Sequence, residues 1–301
     1  MKTSFSLKVL KLALQIKGVK KTWAKSPLDI NTLRKDDLTK PPLSLIKRNA
    51  GSSFKIMESQ ITELGKPKSK FITIYFPGGA FVSGPKDYNY AFAEKLANNC
   101  PTKVWLINYP KAPEHKIDQI AANADKIFEA ALSKTDANKI ILIGDSAGGN
   151  IIMTLTQRLI LQKKELPLCL VPITPVFDAS MTNLSIKTWN DKDFILDKNG
   201  VLEANQLALG DQMDLKNPMI SPLYGDFSGF PPLLLFLAEN DVLYPDGALG
   251  LKKMIASSVN VQYLQGLELP HIWPVLPFIK EGKIAQKEIF NYLNGIIKKV
   301  R

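Results

Sequence analysis

Cysteine and histidine are both scarce, with two of each in the 301-residue chain. Cys100 and Cys169 could pair, but two thiols build neither a disulfide framework nor a zinc site, and no Cys-x-x-Cys redox motif occurs. Reduced, packed thiols in a cytoplasmic protein are the expectation. Long apolar runs are missing too, and none reaches the roughly 18 residues that suggest a membrane span. The N-terminal stretch MKTSFSLKVLKLALQIKG has the outline of a secretion signal, yet Lys8, Lys11 and Lys17 interrupt it and no small-residue cleavage site follows. It reads instead as an amphipathic helix with Leu7, Leu10 and Leu14 on one face. Internal repeats and low-complexity linkers are absent, and nothing in the sequence calls for a metal or a cofactor.

What is present fits a globular protein, with 45% hydrophobic and 22% charged residues. The formal net charge of +11 raises the question of anionic partners. The lysines are dispersed, however, and no nucleic-acid-binding module or aromatic-interleaved basic stripe accompanies them. A well-solvated surface is the plain reading. Loose attraction of the basic N-terminal segment to anionic membranes, without stable insertion, is the alternative. A homodimer is left open.

From residue 71 onward, apolar β-rich runs alternate with helical patterns. Strands are expected at 71–76, 103–109, 139–144, 168–173, 233–239 and 261–266, and helices around 86–99, 114–133, 147–163, 243–257 and 280–299. Runs buried on both faces, each followed by a helix, imply an α/β fold with a mostly parallel central sheet covered on both sides. Residues 54–64 alternate more strictly and are expected as an antiparallel edge strand. Residues 1–50 and 178–220 break the rhythm and are expected to form a helical cap over the carboxyl edge of a main domain spanning 50–301.

The segment KIILIGDSAGGN, residues 139–150, carries the chemistry. A buried strand runs into Gly144-Asp145-Ser146-Ala147-Gly148, which satisfies G-x-S-x-G, and a helix follows at once. Small residues two before and two after the serine allow a sharp bend that lifts its hydroxyl above the sheet. The helix behind it aims free N–H groups and a positive dipole end at charge forming there. A glycine-rich turn with a capping serine is the structural alternative. A serine hydroxyl needs an adjacent base. Hydrolases built on such an elbow run serine, acid, histidine along the chain, which selects His271 over His115. The acid should follow a strand that ends between them. Asp241, just beyond LLLFLAE, fits best, with Glu239 and Asp246 as rivals. The loop YFPGGAFVSG, residues 75–84, then supplies oxyanion donors: the N–H groups of Gly78 and Gly79, joined by that of Ala147.

From about residue 50 onward the chain resembles the hormone-sensitive-lipase-like branch of the α/β-hydrolases, the group of bacterial acetyl esterases and arylacetamide deacetylase. The resemblance rests on YFPGGAFVSG, NYPKAPEH, GDSAGGN, NPMISPLYGDFSGFPPLLLFLAENDVLYPDG and LPHIWPV, in that order. It implies an α/β-hydrolase fold, a Ser146–Asp241–His271 triad, an oxyanion hole of Gly78, Gly79 and Ala147, and a two-part cap whose Trp189 and Phe194 either line a pocket or pack. Two departures stand out. Pro77 occupies the place of the family's histidine, and Ala80 that of its third glycine.

The expected activity is that of a serine carboxylesterase cleaving short-chain acyl esters of small molecules through an acyl-enzyme. A neutral His271 would be required, giving an acid limb near roughly pH 6–7. The alternatives are a deacetylase of an acetylated metabolite or sugar, and a non-catalytic ligand-binding protein on the same scaffold, resembling the plant gibberellin receptor. The presence of His271 argues against the last.

Overall fold

The computed structural model describes residues 4–66, 68–210, 214–276 and 278–300. Residues 1–3 and 211–213 of the two expected cap segments, and 67, 277 and 301 of the main domain, therefore lie outside the described residues. The chain opens with short helices, α1 (Phe5–Ile16), α2 (Val19–Trp23), α3 (Ile30–Arg34) and α4 (Leu43–Arg48). The sheet then begins with β1 (Ser52–Ile56) and β2 (Ser59–Gly65). These replace the single edge strand expected at 54–64. Met57, with φ 49°, turns the chain back on itself, so that Ile56 pairs with Ser59 in a tight hairpin. The alternation read as one strand belongs to two.

The remaining elements are β3 (Phe71–Phe76), α5 (Asp87–Asn99), β4 (Thr102–Asn108), α6 (Ile117–Leu132), β5 (Ile140–Asp145), α7 (Ala147–Leu161) and β6 (Cys169–Ile173). They continue with α8 (Ile186–Lys192), α9 (Lys198–Leu209), β7 (Leu233–Asn240), α10 (Tyr244–Ala256), β8 (Val261–Pro270) and α11 (Lys280–Val300). Among the described residues the strands form one sheet of order β1-β2-β4-β3-β5-β6-β7-β8. Pairing is parallel from β4 through β8, while the β1–β2 hairpin adds to β4 antiparallel.

Each central strand is apolar on both faces, as its sequence requires. Ile72, Ile74, Ile140 and Leu142 join one core with Ile120 and Ile127 of α6, Ile151 and Leu155 of α7 and Met254 of α10. Their neighbours Phe71, Tyr75, Ile141 and Ile143 point the other way, onto Phe92 and Leu96 of α5 and Ile289 and Leu293 of α11. Cys100 and Cys169 are buried in this second layer and unpaired. At about 25 cal/mol per Å² of apolar surface, a leucine or isoleucine so buried contributes roughly 1.5–3 kcal/mol before entropy is charged against it.

The chain order places the functional edge. After β3 the path steps outward to β4, then returns to β5 and proceeds in the opposite direction through β6, β7 and β8. The loops leaving β3 and β5 therefore diverge at a topological switch point, where open α/β sheets hold their ligands. Both irregular segments fold into short helices and meet. Lys20 Nζ of α2 donates to the carbonyls of Asn190 and Asp193, and Leu28 N donates to Glu203 Oε1 on α9 at 2.5 Å.

Candidate active site

Gly144 and Gly148 explain how β5 can turn into α7 within one residue. A Cβ at Gly144 would lie 2.2 Å from the carbonyl oxygen of Gly148, and a Cβ at Gly148 would lie 1.9 Å from that of Phe76. Only hydrogen fits at either place. Between them Ser146 has φ 54° and ψ −122°, a conformation that costs a non-glycine residue about 1–3 kcal/mol. The surroundings hold it there, since Ser146 N donates to Ile173 O at 2.9 Å and Asn150 N donates to Ser146 O at 3.1 Å.

His271 follows β8, and Asp241 follows β7. The two side chains meet across these neighbouring strand ends, with His271 Nδ1 2.7 Å from Asp241 Oδ2, and both are buried. Asp241 Oδ1 accepts from Leu243 N at 2.9 Å, which fixes the carboxylate plane. The histidine loop is tied back to the elbow side of the sheet, because Ile272 N donates to Thr174 Oγ1 at 3.2 Å, next to the Ile173 that holds Ser146. Among the described residues Ser146 Oγ forms no hydrogen bond. In hydrolases this contact commonly tightens only with substrate in place. The rivals lie elsewhere: Glu239 Oε2 accepts from Glu268 N at 3.0 Å, and Asp246 accepts from Asn183 Nδ2 at 2.8 Å. His115 Nδ1 lies 3.1 Å from Glu58 Oε2, beside the β1–β2 turn.

The loop after β3 corrects one expectation. Gly78 N–H is not free, because it donates to Asp145 Oδ2 at 3.0 Å. At the other pole of the same peptide, Pro77 O accepts from Tyr109 Oη at 3.1 Å. With both poles pinned, this peptide cannot swing its N–H toward a substrate. The next turn behaves differently. Gly79 O accepts from Val82 N and Ser83 N, both at 3.0 Å, so the N–H of Ala80 on that same peptide points the opposite way. Gly79 has φ 128°, and a Cβ there would lie 2.1 Å from Ser83 O. Among the described residues the N–H groups of Gly79, Ala80 and Ala147 have no protein acceptor. Of the three expected donors, Gly79 and Ala147 therefore keep N–H groups without a protein acceptor and Gly78 does not, and the N–H of Ala80 is left over beside them.

Sequence reasoning missed two groups that shape this edge. Asp145 lies wholly buried beneath the loop, with Oδ1 accepting from Tyr75 Oη at 2.6 Å and Tyr75 Oη in turn accepting from Asn89 Nδ2 at 2.8 Å. Burial pushes this carboxyl up to about 6, against the hydrogen bonds from Tyr75 and Gly78. Its place inside G-x-S-x-G was visible, but its partners come from β3 and α5. The second is Asp193, in the segment between α8 and α9. Its Oδ2 accepts from Val242 N at 2.9 Å, and its Oδ1 accepts from Ile195 N at 2.7 Å and Leu196 N at 2.9 Å. A buried carboxylate from the irregular segment thus clamps the loop that bears Asp241. Burial first, and the negative charge of Asp241 second, push Asp193 above the usual carboxylate range. No motif signals it.

Burial works against a charged His271, yet the charge and hydrogen bond of Asp241, helped by Asp193 and Asp145, outweigh it and hold the ring above its ordinary 6.5. A general base must be neutral, so with His271 in that role kcat/KM would rise with pH through an acid limb above that value. Asp193→Asn removes one of the negative charges that favour imidazolium, and the limb is expected at lower pH than in wild type. A pH profile of the two proteins checks this, and coincident limbs would mean that the ring does not feel Asp193.

Trp189 stacks on Tyr244 with centroids 5.7 Å apart, and Phe194 is buried in the core. Both aromatics therefore pack.

A serine on a strained strand–helix turn, level with a buried imidazole–carboxylate pair at the carboxyl edge of a parallel sheet, invites comparison with known proteins. A family model described as alpha/beta hydrolase fold matches residues 73–275. The chain belongs to that family. Among curated proteins it is 28% identical over 193 residues to an esterase of Acinetobacter venetianus, covering 64% of each chain. It is 25% identical over 217 residues to an acetyl-hydrolase of Streptomyces hygroscopicus, covering 70% of this chain and 71% of that one. Among solved members of the α/β-hydrolase fold, a crystal structure of EstE5 soaked with p-nitrophenyl butyrate superposes with a TM-score of 0.86 at 21% identity, over 97% of this chain and 99% of that one. The hormone-sensitive-lipase homolog EstE7, from a metagenome library, gives 0.83 at 22% identity, over 98% and 100%.

Proposed function

We propose that this α/β-hydrolase is a serine carboxylesterase of the hormone-sensitive-lipase-like group, acting on short-chain acyl esters of small molecules. The observation that carries the reading is the buried 2.7 Å contact between His271 Nδ1 and Asp241 Oδ2 at the same sheet edge as the Ser146 elbow. Similarity to proteins named esterase and acetyl-hydrolase supports it.

In this reading His271 Nε2 takes the Ser146 proton as Oγ attacks the ester carbonyl, while Asp241 holds the Nδ1–H tautomer and stabilises the imidazolium. The N–H groups of Gly79, Ala80 and Ala147 receive the developing oxyanion. Each such donor is worth about 2.7–4 kcal/mol of transition-state stabilisation. The imidazolium then protonates the departing alcohol, leaving an acyl-Ser146. A water deprotonated by the same ring attacks that acyl group, and the acid departs. Asp145, Tyr75 and Tyr109 take no part in proton transfer. They hold the Pro77–Gly78 peptide, and so the loop behind the oxyanion.

Two measurements test this. A fluorophosphonate should label the wild-type protein once, with the adduct on Ser146 by peptide mass spectrometry. Hydrolysis of p-nitrophenyl acetate and butyrate should exceed that of the octanoate, an acetylated sugar and an aryl acetamide. Preference for the acetylated sugar or amide would turn the assignment to a deacetylase. Failure to label would remove the enzyme reading altogether.

A further inference from the structure

Helix α1 carries two apolar faces and needs only one of them to fold. Leu7 is buried, and Leu10 and Leu14 pack beside it against the core that includes α11. On the opposite side Phe5, Val9, Leu12 and Ile16 are 81%, 50%, 59% and 77% exposed. At about 100° per residue these four side chains fall within an arc of roughly 60°, a continuous bare stripe along the whole helix. Single exposed apolar residues need no explanation, but an aligned row does.

The charge around the stripe has one sign. The first 28 residues contain Lys2, Lys8, Lys11, Lys17, Lys20, Lys21 and Lys25, and no aspartate or glutamate. Lys8 borders the stripe on α1, Lys11 lies nearer the packed face with its Nζ 5.4 Å from the Phe194 ring centroid, and Lys17, Lys21 and Lys25 are exposed further along the chain. The carboxylate that meets this helix, Glu281, is buried and engaged by Ser4 N and Ser4 Oγ, both at 2.8 Å. No acidic neighbour of α1 in sequence offsets the lysines. Among the described residues no helix is long and apolar enough to cross a membrane.

We propose that this face of α1 is a docking surface for an anionic lipid bilayer, on which the helix lies in the plane of the headgroups. Exposed Phe, Leu and Ile along one line, edged by Lys8 and followed by further exposed lysines, are the composition of an interfacial helix. Phe5, Leu12 and Ile16 enter the boundary between headgroups and acyl chains, while the lysines meet lipid phosphates. A second copy of this chain is the weaker occupant. A two-fold dimer through the stripe would set α1 against its own copy and bring like-charged lysine rows together. The proposal does not depend on the chemistry at Ser146.

The test is co-sedimentation of the full-length protein with vesicles of phosphatidylcholine alone and of phosphatidylcholine mixed with phosphatidylglycerol, at low and high salt. Binding is expected only to the anionic vesicles and should weaken as salt rises. The triple substitution Phe5→Ser, Leu12→Ser, Ile16→Ser should reduce it at least about ten-fold. Lys8→Ala and Lys17→Ala should each cost about five-fold. Because all five side chains face solvent, melting temperature and ester hydrolysis in the absence of vesicles should stay at wild-type values. Equal binding to neutral vesicles, no binding to anionic ones, or binding that survives the triple substitution would overturn the proposal. So would a wild-type dimer, seen by sedimentation equilibrium, that the triple substitution dissociates.

Discussion

Ser146→Ala is expected to lower kcat for p-nitrophenyl acetate by about 10⁶-fold, the scale seen when the nucleophile of a triad is removed, and to abolish fluorophosphonate labelling. The fold should survive. Alanine must adopt the same φ of 54°, and the strain there is a backbone property that serine already bears. The backbone bonds from Ser146 N to Ile173 O and from Asn150 N to Ser146 O do not involve the hydroxyl. Among the described residues Ser146 Oγ has no hydrogen-bond partner, so its loss orphans no buried group. The thermal midpoint is expected within a few degrees of wild type. Residual hydrolysis of about 10³–10⁴ over the uncatalysed rate would reflect substrate held against the Gly79, Ala80 and Ala147 N–H groups. A variant that keeps more than a tenth of wild-type kcat would mean that the nucleophile lies elsewhere.

The elbow and the histidine could be read from sequence because their signals are local or sparse. G-x-S-x-G needs only its own five residues and a strand and helix on either side, and with two histidines in the chain the order rule had little to choose between. The strands β3, β5 and β7 were legible for a similar reason, since burial on both faces writes itself as unbroken apolar runs. What sequence hid was set by distant contacts. Gly78 looks as suitable a donor as Gly79, and only Asp145 on one side and Tyr109 on the other reveal that its peptide is already held. Ala80 was read as a departure, and only the direction of the Gly79 carbonyl shows its N–H left over. Asp193 lies 48 residues before Asp241 in a stretch with no pattern, and its role as a clamp exists only once Val242 N is beside it. The hairpin at Met57 was missed because its two strands are too short to read separately. The Ile56–Ser59 register sets Phe54 opposite Ile61, so the apolar phase shifts by one residue across the turn, and a single-strand reading passes over that shift.

Asp241→Asn should lower kcat by about 10⁴-fold with little change in stability. The substituted side chain would keep its amide oxygen on Leu243 N, the bond that sets the plane of the native carboxylate. Its amide nitrogen would then face His271 Nδ1 where Asp241 Oδ2 now stands, 2.7 Å away. Two donors cannot share that gap. The ring must give up its Nδ1 proton and carry one on Nε2, the nitrogen meant to accept from Ser146. The base is thereby held in the wrong tautomer, and no change of pH restores it. Asp193 cannot take over, because both of its oxygens are engaged by the amides of Val242, Ile195 and Leu196. Asp193→Asn should instead move the acid limb and, by setting its NH2 against one of those amides, loosen the Asp241 loop, with a smaller loss of kcat. The comparison of kcat across these two variants is therefore decisive. If Asp241→Asn falls less than ten-fold while Asp193→Asn is nearly inactive, the carboxylate serving His271 lies between α8 and α9, and the assignment of Asp241 fails.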